Sequence, residues 1–345
     1  MKKHILSRAG ALPILLLLAF SHFAFASGAD AELFRKSTSV MGTALEVTVD
    51  AATEGGAGAV FLSVEQEMKR IENEMSEWQE GSPLSEVNRA AGQRPVKVPK
   101  ELFNVISAAL KVSEISGGAF DITWASMRGL WDFRPGRERV PTPEEVKHRI
   151  GLVDYRAVVL DPAESTVFLK KKGMAIGLGA IAKGFAVDKA MEAVLKAGVT
   201  NAIIKAGGDI RVQGGIGAGG AGWEVGIQDP RDRARLMARL RLTNASISTS
   251  GDYERFFVRD GLLYHHIMDP KTGYPARGAR SVTVIGPDTM TTDALSTAIF
   301  VLGPEKGLEL AEKLAGIEVI IVDSSGALSS SGAVDMKPLK EKKLP

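Results

Sequence analysis

Cysteine is absent from all 345 residues, and this one absence excludes several kinds of chemistry. No disulfide can cross-link the chain, no Cys-His pair can act as a nucleophile, and no amino-terminal cysteine can carry a lipid. The GxSxG pattern of serine hydrolases is missing as well. The sequence therefore gives no support to nucleophilic catalysis by a thiol or by a serine triad.

An excess of charge of either sign is also absent. The formal net charge is +2, and Lys2, Lys3 and Arg8 supply three basic side chains within residues 1–26, where no acid occurs. The remaining 40 basic residues are matched by 41 acidic ones, so nothing points to nucleic acid or to an acidic membrane surface as a partner. The hydrophobic fraction of 45% predicts a substantial core, in one large domain or two closely joined ones.

The amino terminus predicts an export signal. Its three basic residues precede an apolar stretch at 11–20, and Ala24-Phe25-Ala26 has the small-x-small pattern of a cleavage site. We expect cleavage after Ala26 and a mature protein in the periplasm. The alternative is an uncleaved anchor at the inner membrane, although the apolar stretch is shorter than the ~20 residues of a membrane span.

Hydrophobic periodicity predicts long helices mixed with antiparallel hairpins. Apolar residues recur at helical spacing over 57–78 and 99–115, and Thr142 and Glu145 form a capping box at the start of another helix. Further helices are predicted at 292–302 and 304–315, hairpins at 157–169 and 255–267, a polar loop at 81–88, and a loop or short strand at 117–124. Strands are predicted at 43–51, 223–227, 238–248, 281–285 and 318–322, and another at 201–214 that is broken by Gly207-Gly208-Asp209. The pattern predicts an α+β fold in which antiparallel or mixed sheets are covered by helices.

The densest group of reactive side chains lies at residues 250–297. Asp293 and Thr297 are four residues apart in a predicted helix, so their oxygens share one helical face and can converge on a hard cation such as Mg²⁺. Two side chains are too few to hold Mg²⁺ alone, which favours a metal that arrives with a pyrophosphate. The adjacent His265 and His266 lie just before an Asp-Pro turn, and His266 is either a general base or a hydrogen-bonded turn residue.

Other candidate residues each allow two interpretations. The glycine-rich turn at 177–184 precedes a predicted helix, where free backbone N–H groups can face an anion, yet it matches neither GxGxxG nor GxxxxGK[ST]. Lys183 at that helix start is either held for an anionic ligand or solvated at the surface. Asp121, in apolar surroundings, is either hydrogen-bonded to backbone or faces a polar ligand. Trp78 is either a packing lid or a ligand contact.

Ten short motifs occur in an order that resembles the ApbE family of exported bacterial FAD:protein FMN transferases. They are MGT at 41, MSEW at 75, SPLSEVN at 82, GGAFDIT at 117, GLGAIAKGFAVD at 177, AGGDI at 206, STSGDYERFF at 248, HHIMDPKTGYP at 265, SVTVIGPD at 281 and TTDALSTAIFVLG at 291. The resemblance covers residues 33–330 and leaves a basic tail at 331–345. Its most specific parts are the HIMDPKTGYP and DALST blocks.

The resemblance implies an ApbE-like (T-fold-like) architecture and a particular reaction. FAD is bound with Mg²⁺ and cleaved at its pyrophosphate, FMN is joined through its phosphate to a Thr or Ser hydroxyl of an acceptor protein, and AMP leaves. Implied acceptors are subunits of a sodium-pumping NADH:quinone reductase or of an Rnf-type complex, which would bring the protein close to a membrane. The alternatives are an Mg²⁺-dependent FAD pyrophosphatase that gives FMN and AMP, and a flavin-binding protein without turnover.

The resemblance also assigns residues to roles. Asp293, Thr297 and the carbonyl of Ala180 match the family's metal ligands, and His266 resembles the proposed base for the acceptor hydroxyl, so His266 and Asp293 are the expected catalytic residues. The residues that match positions around the flavin nucleotide are Met41, Trp78, Ala119, Phe120, Asp121, Lys183, Gly208, His266 and Ile267.

One position departs from the family pattern. The family usually has Asp-Leu-Gly before the helix that carries Lys183, and here the first of these residues is Gly177. If that carboxylate helps to organise the metal or the pyrophosphate, the protein relies on another acid such as Asp121 or Asp209, reacts more slowly, or chiefly binds flavin.

Overall fold

The structure is a computed structural model that describes residues 32–216, 221–232, 234–332 and 337–338. The predicted export signal at 1–26 lies outside these residues, as does most of the predicted basic tail at 331–345. Both therefore stay predictions. Within the described ranges, no helix combines the length and the apolar character needed to cross a bilayer.

The helices and strands alternate irregularly along the chain. The α-helices are α1 Glu54–Met75, α2 Pro83–Arg89, α3 Lys100–Ile115, α4 Pro143–Arg149, α5 Ala182–Lys196, α6 Thr289–Leu302 and α7 Pro304–Glu312. The strands are β1 Glu32–Val40, β2 Thr43–Ala51, β3 Val96–Lys97, β4 Val158–Asp161, β5 Thr166–Leu169, β6 Ala202–Ala206, β7 Asp209–Gln213, β8 Trp223–Gln228, β9 Leu236–Leu242, β10 Ala245–Gly251, β11 Phe256–Arg259, β12 Leu262–His265, β13 Met268–Asp269, β14 Tyr274–Pro275, β15 Ala279–Gly286, β16 Glu318–Asp323, β17 Leu328–Ser330 and β18 Lys337–Pro338.

An eight-stranded sheet forms the centre of the molecule, in the order β1-β2-β6-β7-β10-β15-β16-β17. Neighbouring strands are antiparallel throughout. Helices α1, α5 and α6 cover one face and enclose the main hydrophobic core. A three-stranded sheet in the order β18-β9-β8 covers part of the other face with a second cluster around Trp223, Leu240 and Ile247. The predicted α+β class with helix-covered sheets is thus confirmed.

Strand β15 shows why the central sheet needs both covers. Its sequence ARSVTVIG leaves seven of eight residues buried, with Arg280 half-buried, so side chains on both faces are removed from water. Burial on both faces produces a nearly continuous apolar run rather than a strict alternation. Strand β15 is therefore buried in the interior of the central sheet, where it pairs with β10.

Several local predictions are confirmed and several are wrong. The capping box of Thr142 and Glu145 is present. The predicted loop at 81–88 is wrong, because Ser82 caps α2 by accepting from the Ser85 N–H and Pro83 occupies its first turn. The predicted break in the strand at 201–214 is confirmed, because the segment forms two strands, β6 and β7, which pair across Gly207-Gly208.

Three further boundaries differ from the expectations. Helix α1 ends at Met75 rather than at Trp78. The strand predicted at 238–248 is divided between β9 and β10 by Asn244, whose φ of 49° lies in the left-handed region. The segment after Gly118, expected as a loop or short strand, contains a 3₁₀-helix at Ile122–Met127.

Candidate active site

Helix α6 carries Asp293 and Thr297, and its start is held by two carboxylates. Asp288 caps the helix by accepting from the Thr291 N–H at 2.8 Å. Asp188, which projects from α5, accepts from the N–H groups of Thr289 and Met290 at 2.9 Å. A carboxylate at a helix N-terminus accepts from free N–H groups and interacts favourably with the positive end of the helix dipole. Both acids therefore help to set the position of α6.

Hydroxyl pairs join α6 to strand β10. Ser246 bonds to Thr289 at 3.0 Å and Ser248 to Thr292 at 2.9 Å. Ser250 lies 2.9 Å from the Ser296 hydroxyl and 3.2 Å from that of Thr297. Alternate residues of a strand face one side of the sheet, and helical residues three or four apart face one side of the helix. This row of hydroxyl pairs therefore fixes the position of α6 along β10. Asp293 and Thr297 are thereby placed at the side of α6 near β10 and α5.

Lys183 joins two buried carboxylates from different parts of the chain. Its Nζ lies 2.9 Å from Asp209 Oδ2 and 3.4 Å from Asp293 Oδ2. It also donates to the carbonyl of Gly179 at 3.3 Å. The two aspartates are 3% and 4% exposed, which excludes bulk water from most of the contact. The alternative of a solvated surface lysine is therefore wrong.

The charges of this cluster do not balance. Burial and the nearby Asp209 raise the pKa of Asp293 well above its usual value, although Lys183 and the Gly184 N–H act in the opposite direction. Burial alone would lower the pKa of Lys183, but the two carboxylates outweigh it and raise that pKa. Lys183 is thus charged at neutral pH, and two carboxylates share one ammonium. A further positive charge would be stabilised here.

Two glycines allow this close arrangement of backbone and side chains. A Cβ on Gly184 would lie 2.2 Å from the Thr289 carbonyl oxygen and 2.8 Å from Asp293 Cβ, so only glycine lets α5 approach α6 this closely. The Gly184 N–H then donates to Asp293 Oδ2 at 3.0 Å. A Cβ on Gly208 would lie 2.6 Å from the Thr249 carbonyl oxygen, so glycine is required beside Asp209 too.

The residues assigned to the metal fit a divalent cation in charge and in donor type. In a regular helix the Gly184 N–H would donate to the carbonyl of Ala180, four residues earlier, but here it donates to Asp293. The Ala180 carbonyl, the Asp293 carboxylate and the Thr297 hydroxyl are all hard oxygen donors, as Mg²⁺ prefers. Among the described residues no cluster of three or more His, Cys, Asp or Glu side chains could hold a metal. Carbonyls, water or substrate oxygens would therefore have to complete the coordination.

The two adjacent histidines have different surroundings. His265 is buried, accepts from the Ile267 N–H at its Nδ1 atom and directs Nε2 at the Ala276 carbonyl at 2.9 Å. These bonds require the neutral tautomer with the proton on Nε2, which makes His265 structural. His266 is half-buried, and its Nδ1 atom is buried with no hydrogen-bond partner among the residues that the structure describes. Burial, followed by the charge of Arg255, lowers the pKa of His266 to about 4, so its ring is neutral at pH 7.

His265 should make the free energy of unfolding decrease as the pH falls. Burial lowers its pKa to about 4, so the neutral ring stabilises the fold fully above ~6.5, the unfolded pKa, and progressively less as pH falls towards 4. Between pH 7 and 4.5, a His265→Gln variant should lose about 2 kcal/mol less unfolding free energy than the wild type. Urea titrations at the two pH values measure this difference. A His148→Gln variant, changed at an exposed histidine, should lose as much unfolding free energy between the two pH values as the wild type does. If the His265→Gln variant also lost as much as the wild type, His265 would not be a buried neutral histidine.

Met41 and Gly208 lie at the same end of the sheet. Met41 and Gly42 have φ values of 51° and 70° and make the two-residue turn between β1 and β2. Gly207, next to Gly208, donates its N–H to the Ala44 carbonyl at 3.0 Å, and a Cβ on it would meet the Thr43 hydroxyl at 2.7 Å. The structure therefore brings the Met41 turn beside the turn that precedes Asp209.

Asp121 binds backbone rather than facing open space. Its carboxylate accepts from the Thr123 N–H at 2.8 Å, the Thr123 hydroxyl at 2.6 Å and the Tyr155 N–H at 3.0 Å. Burial raises its pKa, while these bonds act to lower it. Of the two interpretations of Asp121, the structure supports the structural one. The side chains of Ala119 and Phe120 are buried as well, as is that of Ile267 beside His265.

Trp78 is not a packing lid. The residue is 74% exposed, and the guanidinium of Arg128 lies 4.3 Å from the centre of its ring. Arg128 in turn pairs with Glu77, whose carboxylate reaches the N–H of Leu178 in the glycine-rich turn. The lid interpretation is therefore wrong, and stacking of the exposed indole on a flavin nucleotide stays a prediction.

Sequence reasoning missed the partners that complete this arrangement. Asp209 was considered only as a substitute acid, although it forms the shorter of the two Lys183 ion pairs. Gly184 and Glu77 were not singled out. The one available signal for Asp209 was a carboxylate directly after two glycines inside an apolar strand pattern. Nothing in the local sequence marks Glu77 as a neighbour of position 177.

Comparison with known proteins identifies relatives over most of the chain. The model of the ApbE family matches residues 41–321. FAD:protein FMN transferase of Treponema pallidum is 34% identical over 320 residues, which cover 88% of both chains. Its namesake in Klebsiella pneumoniae is 32% identical over 314 residues, or 90% of this chain and 96% of the relative. The ApbE protein of Thermotoga maritima superposes with a TM-score of 0.79 at 35% identity, covering 86% of this chain and 96% of its own.

Proposed function

The chain belongs to the ApbE family, and from this membership we infer that it is an FAD:protein FMN transferase, which transfers FMN from FAD to an acceptor protein. The buried cluster of Lys183, Asp209 and Asp293 beside the glycine-rich turn is the observation that locates the reaction within the protein. With Asp293 ionised, this cluster carries one more negative than positive charge, which a cation that accompanies a pyrophosphate would balance.

We propose that Mg²⁺ is bound by Asp293, Thr297 and the carbonyl of Ala180. The bound metal would neutralise the charge on the pyrophosphate and polarise the phosphorus for attack. Lys183 supplies a fixed positive charge at the same place, held by Asp209 so that it stays protonated. Gly208 and the Met41 turn border this place at the sheet end, and the exposed ring of Trp78 offers a stacking surface for one aromatic end of FAD.

We propose that His266 accepts the proton of the acceptor hydroxyl. A base must be neutral and must have a nitrogen that can accept a proton. The ring of His266 is neutral at pH 7, and its Nδ1 atom has no hydrogen-bond partner within the described part of the chain. The hydroxyl oxygen of a Thr or Ser forms a bond to the phosphorus of FMN while the pyrophosphate bond breaks. AMP leaves with the bridging oxygen, and the hydroxyl proton passes to His266. The acceptor classes that we propose are subunits of a sodium-pumping NADH:quinone reductase or of an Rnf-type complex, with the reaction taking place in the periplasm.

The test combines three products in one reaction. The protein is incubated with FAD, Mg²⁺ and a candidate flavin-carrying subunit, and AMP, free FMN and the mass of the subunit are measured. We expect one FMN on the subunit for each AMP, and no gain in mass when the acceptor Thr or Ser is replaced by Ala. Supplying FMN instead of FAD should give no transfer, because no pyrophosphate bond is available.

Two other outcomes would contradict parts of the proposal. AMP together with free FMN only, in the presence of the subunit, would make the protein a pyrophosphatase. Tight FAD binding with no AMP would leave it a flavin-binding protein. Omitting Mg²⁺ in the presence of a chelator tests the metal separately, and undiminished transfer under that condition would exclude the proposed metal site.

A further inference from the structure

Gly177 lies against the side chain of Glu77. A Cβ built on Gly177 would be 2.7 Å from Oε1, 2.8 Å from Oε2 and 2.9 Å from Cδ of Glu77. A Cβ atom does not approach other heavy atoms this closely, so any side chain at 177 would require the Glu77 carboxylate to leave its present position. Glycine at 177 and glutamate at 77 are therefore a matched pair.

The Glu77 carboxylate holds the glycine-rich turn directly. Its Oε2 atom accepts from the Leu178 N–H at 3.2 Å. The two residues before Leu178 are fixed as well: the Gly177 N–H donates to the Ile122 carbonyl at 2.9 Å, and the Asn88 side chain bonds to both backbone groups of Ile176 at 2.8 and 2.9 Å. The same turn continues to Gly179, whose carbonyl accepts from Lys183. Movement of Glu77 would thus be transmitted through the turn to the ammonium group of Lys183.

Glu77 also positions a cation beside the exposed indole. Its Oε1 atom lies 2.9 Å from Arg128 Nη2, in an ion pair that lacks the alignment of a hydrogen bond, and its backbone carbonyl accepts from Arg128 Nη1 at 3.4 Å. The guanidinium of Arg128 then covers one face of Trp78. The Glu77 side chain is only 15% exposed, so its carboxylate is largely shielded from water and from salt.

We propose that Glu77 supplies, from the loop after α1, the carboxylate that position 177 lacks, and that it positions the 177–181 turn and Arg128 for FAD binding. This proposal rests on FAD being the substrate. Of the acids considered as replacements, Asp121 is committed to Thr123 and Tyr155, and Asp209 is committed to Lys183. Glu77, in contrast, contacts both position 177 and its neighbour Leu178. It is a positioning residue, since it acts through the turn and through Arg128.

The test moves the carboxylate from one segment to the other. Glu77→Ser should weaken FAD binding about tenfold or more, because a charge-assisted contact with the turn and the partner of Arg128 are lost together. Gly177→Asp alone should also weaken binding, because its side chain collides with Glu77 and adds a second buried negative charge. The double variant Glu77→Ser/Gly177→Asp should bind FAD more tightly than either single variant, because the new carboxylate enters the space that Glu77 has left.

The measurement is the quenching of flavin fluorescence on binding, with the melting temperature recorded for each variant. Glu77→Gln keeps the volume and the acceptor for Leu178 but not the charge, so it should fold and should bind with intermediate affinity. Glu80→Ser, which removes an exposed acid of the same loop, is the matched control and should bind as the wild type does. A double variant that binds no better than Glu77→Ser, or unchanged binding in Glu77→Ser, would overturn the proposal. Binding of FAD requires no acceptor and no turnover, so this result is independent of whether FMN transfer is observed.

Discussion

An Asp293→Ala variant is expected to lose FMN transfer by about 10³-fold or more. The substitution removes one of the two side chains proposed to bind Mg²⁺, and it deprives the Gly184 N–H of its acceptor. Lys183 would also lose its second carboxylate and would be free to pair with Asp209 alone. Transfer of FMN to the acceptor, measured by mass at saturating FAD, reports the loss.

An Asp293→Asn variant separates charge from structure. Asparagine has nearly the same volume and keeps an oxygen for the Gly184 N–H, so the fold should be retained while metal affinity is lost. Because burial and Asp209 raise the pKa of Asp293, its ionised form is unfavourable in the metal-free protein. We therefore expect Asp293→Asn to be inactive and to melt, without Mg²⁺, no lower than the wild type. Glu309→Gln, an exposed change on α7, is the control and should remain active.

Retention of more than about a tenth of the wild-type rate by Asp293→Ala would show that this carboxylate is not a metal ligand, since losing a side-chain ligand at a catalytic metal costs more than that. The binding of FAD with and without Mg²⁺ gives a second readout. In the wild type, Mg²⁺ should tighten binding, whereas in both Asp293 variants the metal should have little effect.

Helices and strands with a strong apolar period could be predicted from sequence, and those without one could not. The helix at 99–115 and the strand at 318–322 were placed to within about one residue, because their buried residues recur at the spacing of the element. Strand β1 was missed because its side chains are mostly exposed at the edge of the sheet and show no buried face. Helix α2 was mistaken for a loop, although Ser82 followed by Pro83 is a regular start of a helix.

The site shows the same division between local and long-range information. The Asp293 and Thr297 pair could be predicted because it lies within one helix, where spacing determines which face a residue occupies. The contact of Lys183 with Asp209 and Asp293 depends on how three separate elements pack, and no spacing in the sequence reports it. The same reason explains why Glu77 was not connected with Gly177, which is 100 positions later in the chain. The family resemblance located the positions of the motifs but not these partners.

A Lys183→Met variant is expected to depend on Mg²⁺ for its stability. Methionine fills much of the lysine volume without charge, so Asp209 and Asp293 would face each other without the ammonium that lies between them. Removing one partner from a buried ionic group costs about 3–5 kcal/mol, and like charges add to that cost. The metal-free variant should therefore unfold at a much lower temperature than the wild type, and added Mg²⁺ should restore part of the difference.

FMN transfer by Lys183→Met should fall by about 10²-fold even with saturating Mg²⁺, because the fixed charge proposed to assist the pyrophosphate is gone. Lys205→Met is the matched control: that lysine pairs with Glu46 at the surface, so its loss should change neither the Mg²⁺ dependence nor the rate appreciably. Melting curves with Mg²⁺ and with a chelator measure the first effect, and the mass of the acceptor measures the second. If Lys183→Met gained no more thermal stability from Mg²⁺ than the wild type does, the two aspartates would not form a cation site, and the charge imbalance of the cluster would need a different partner.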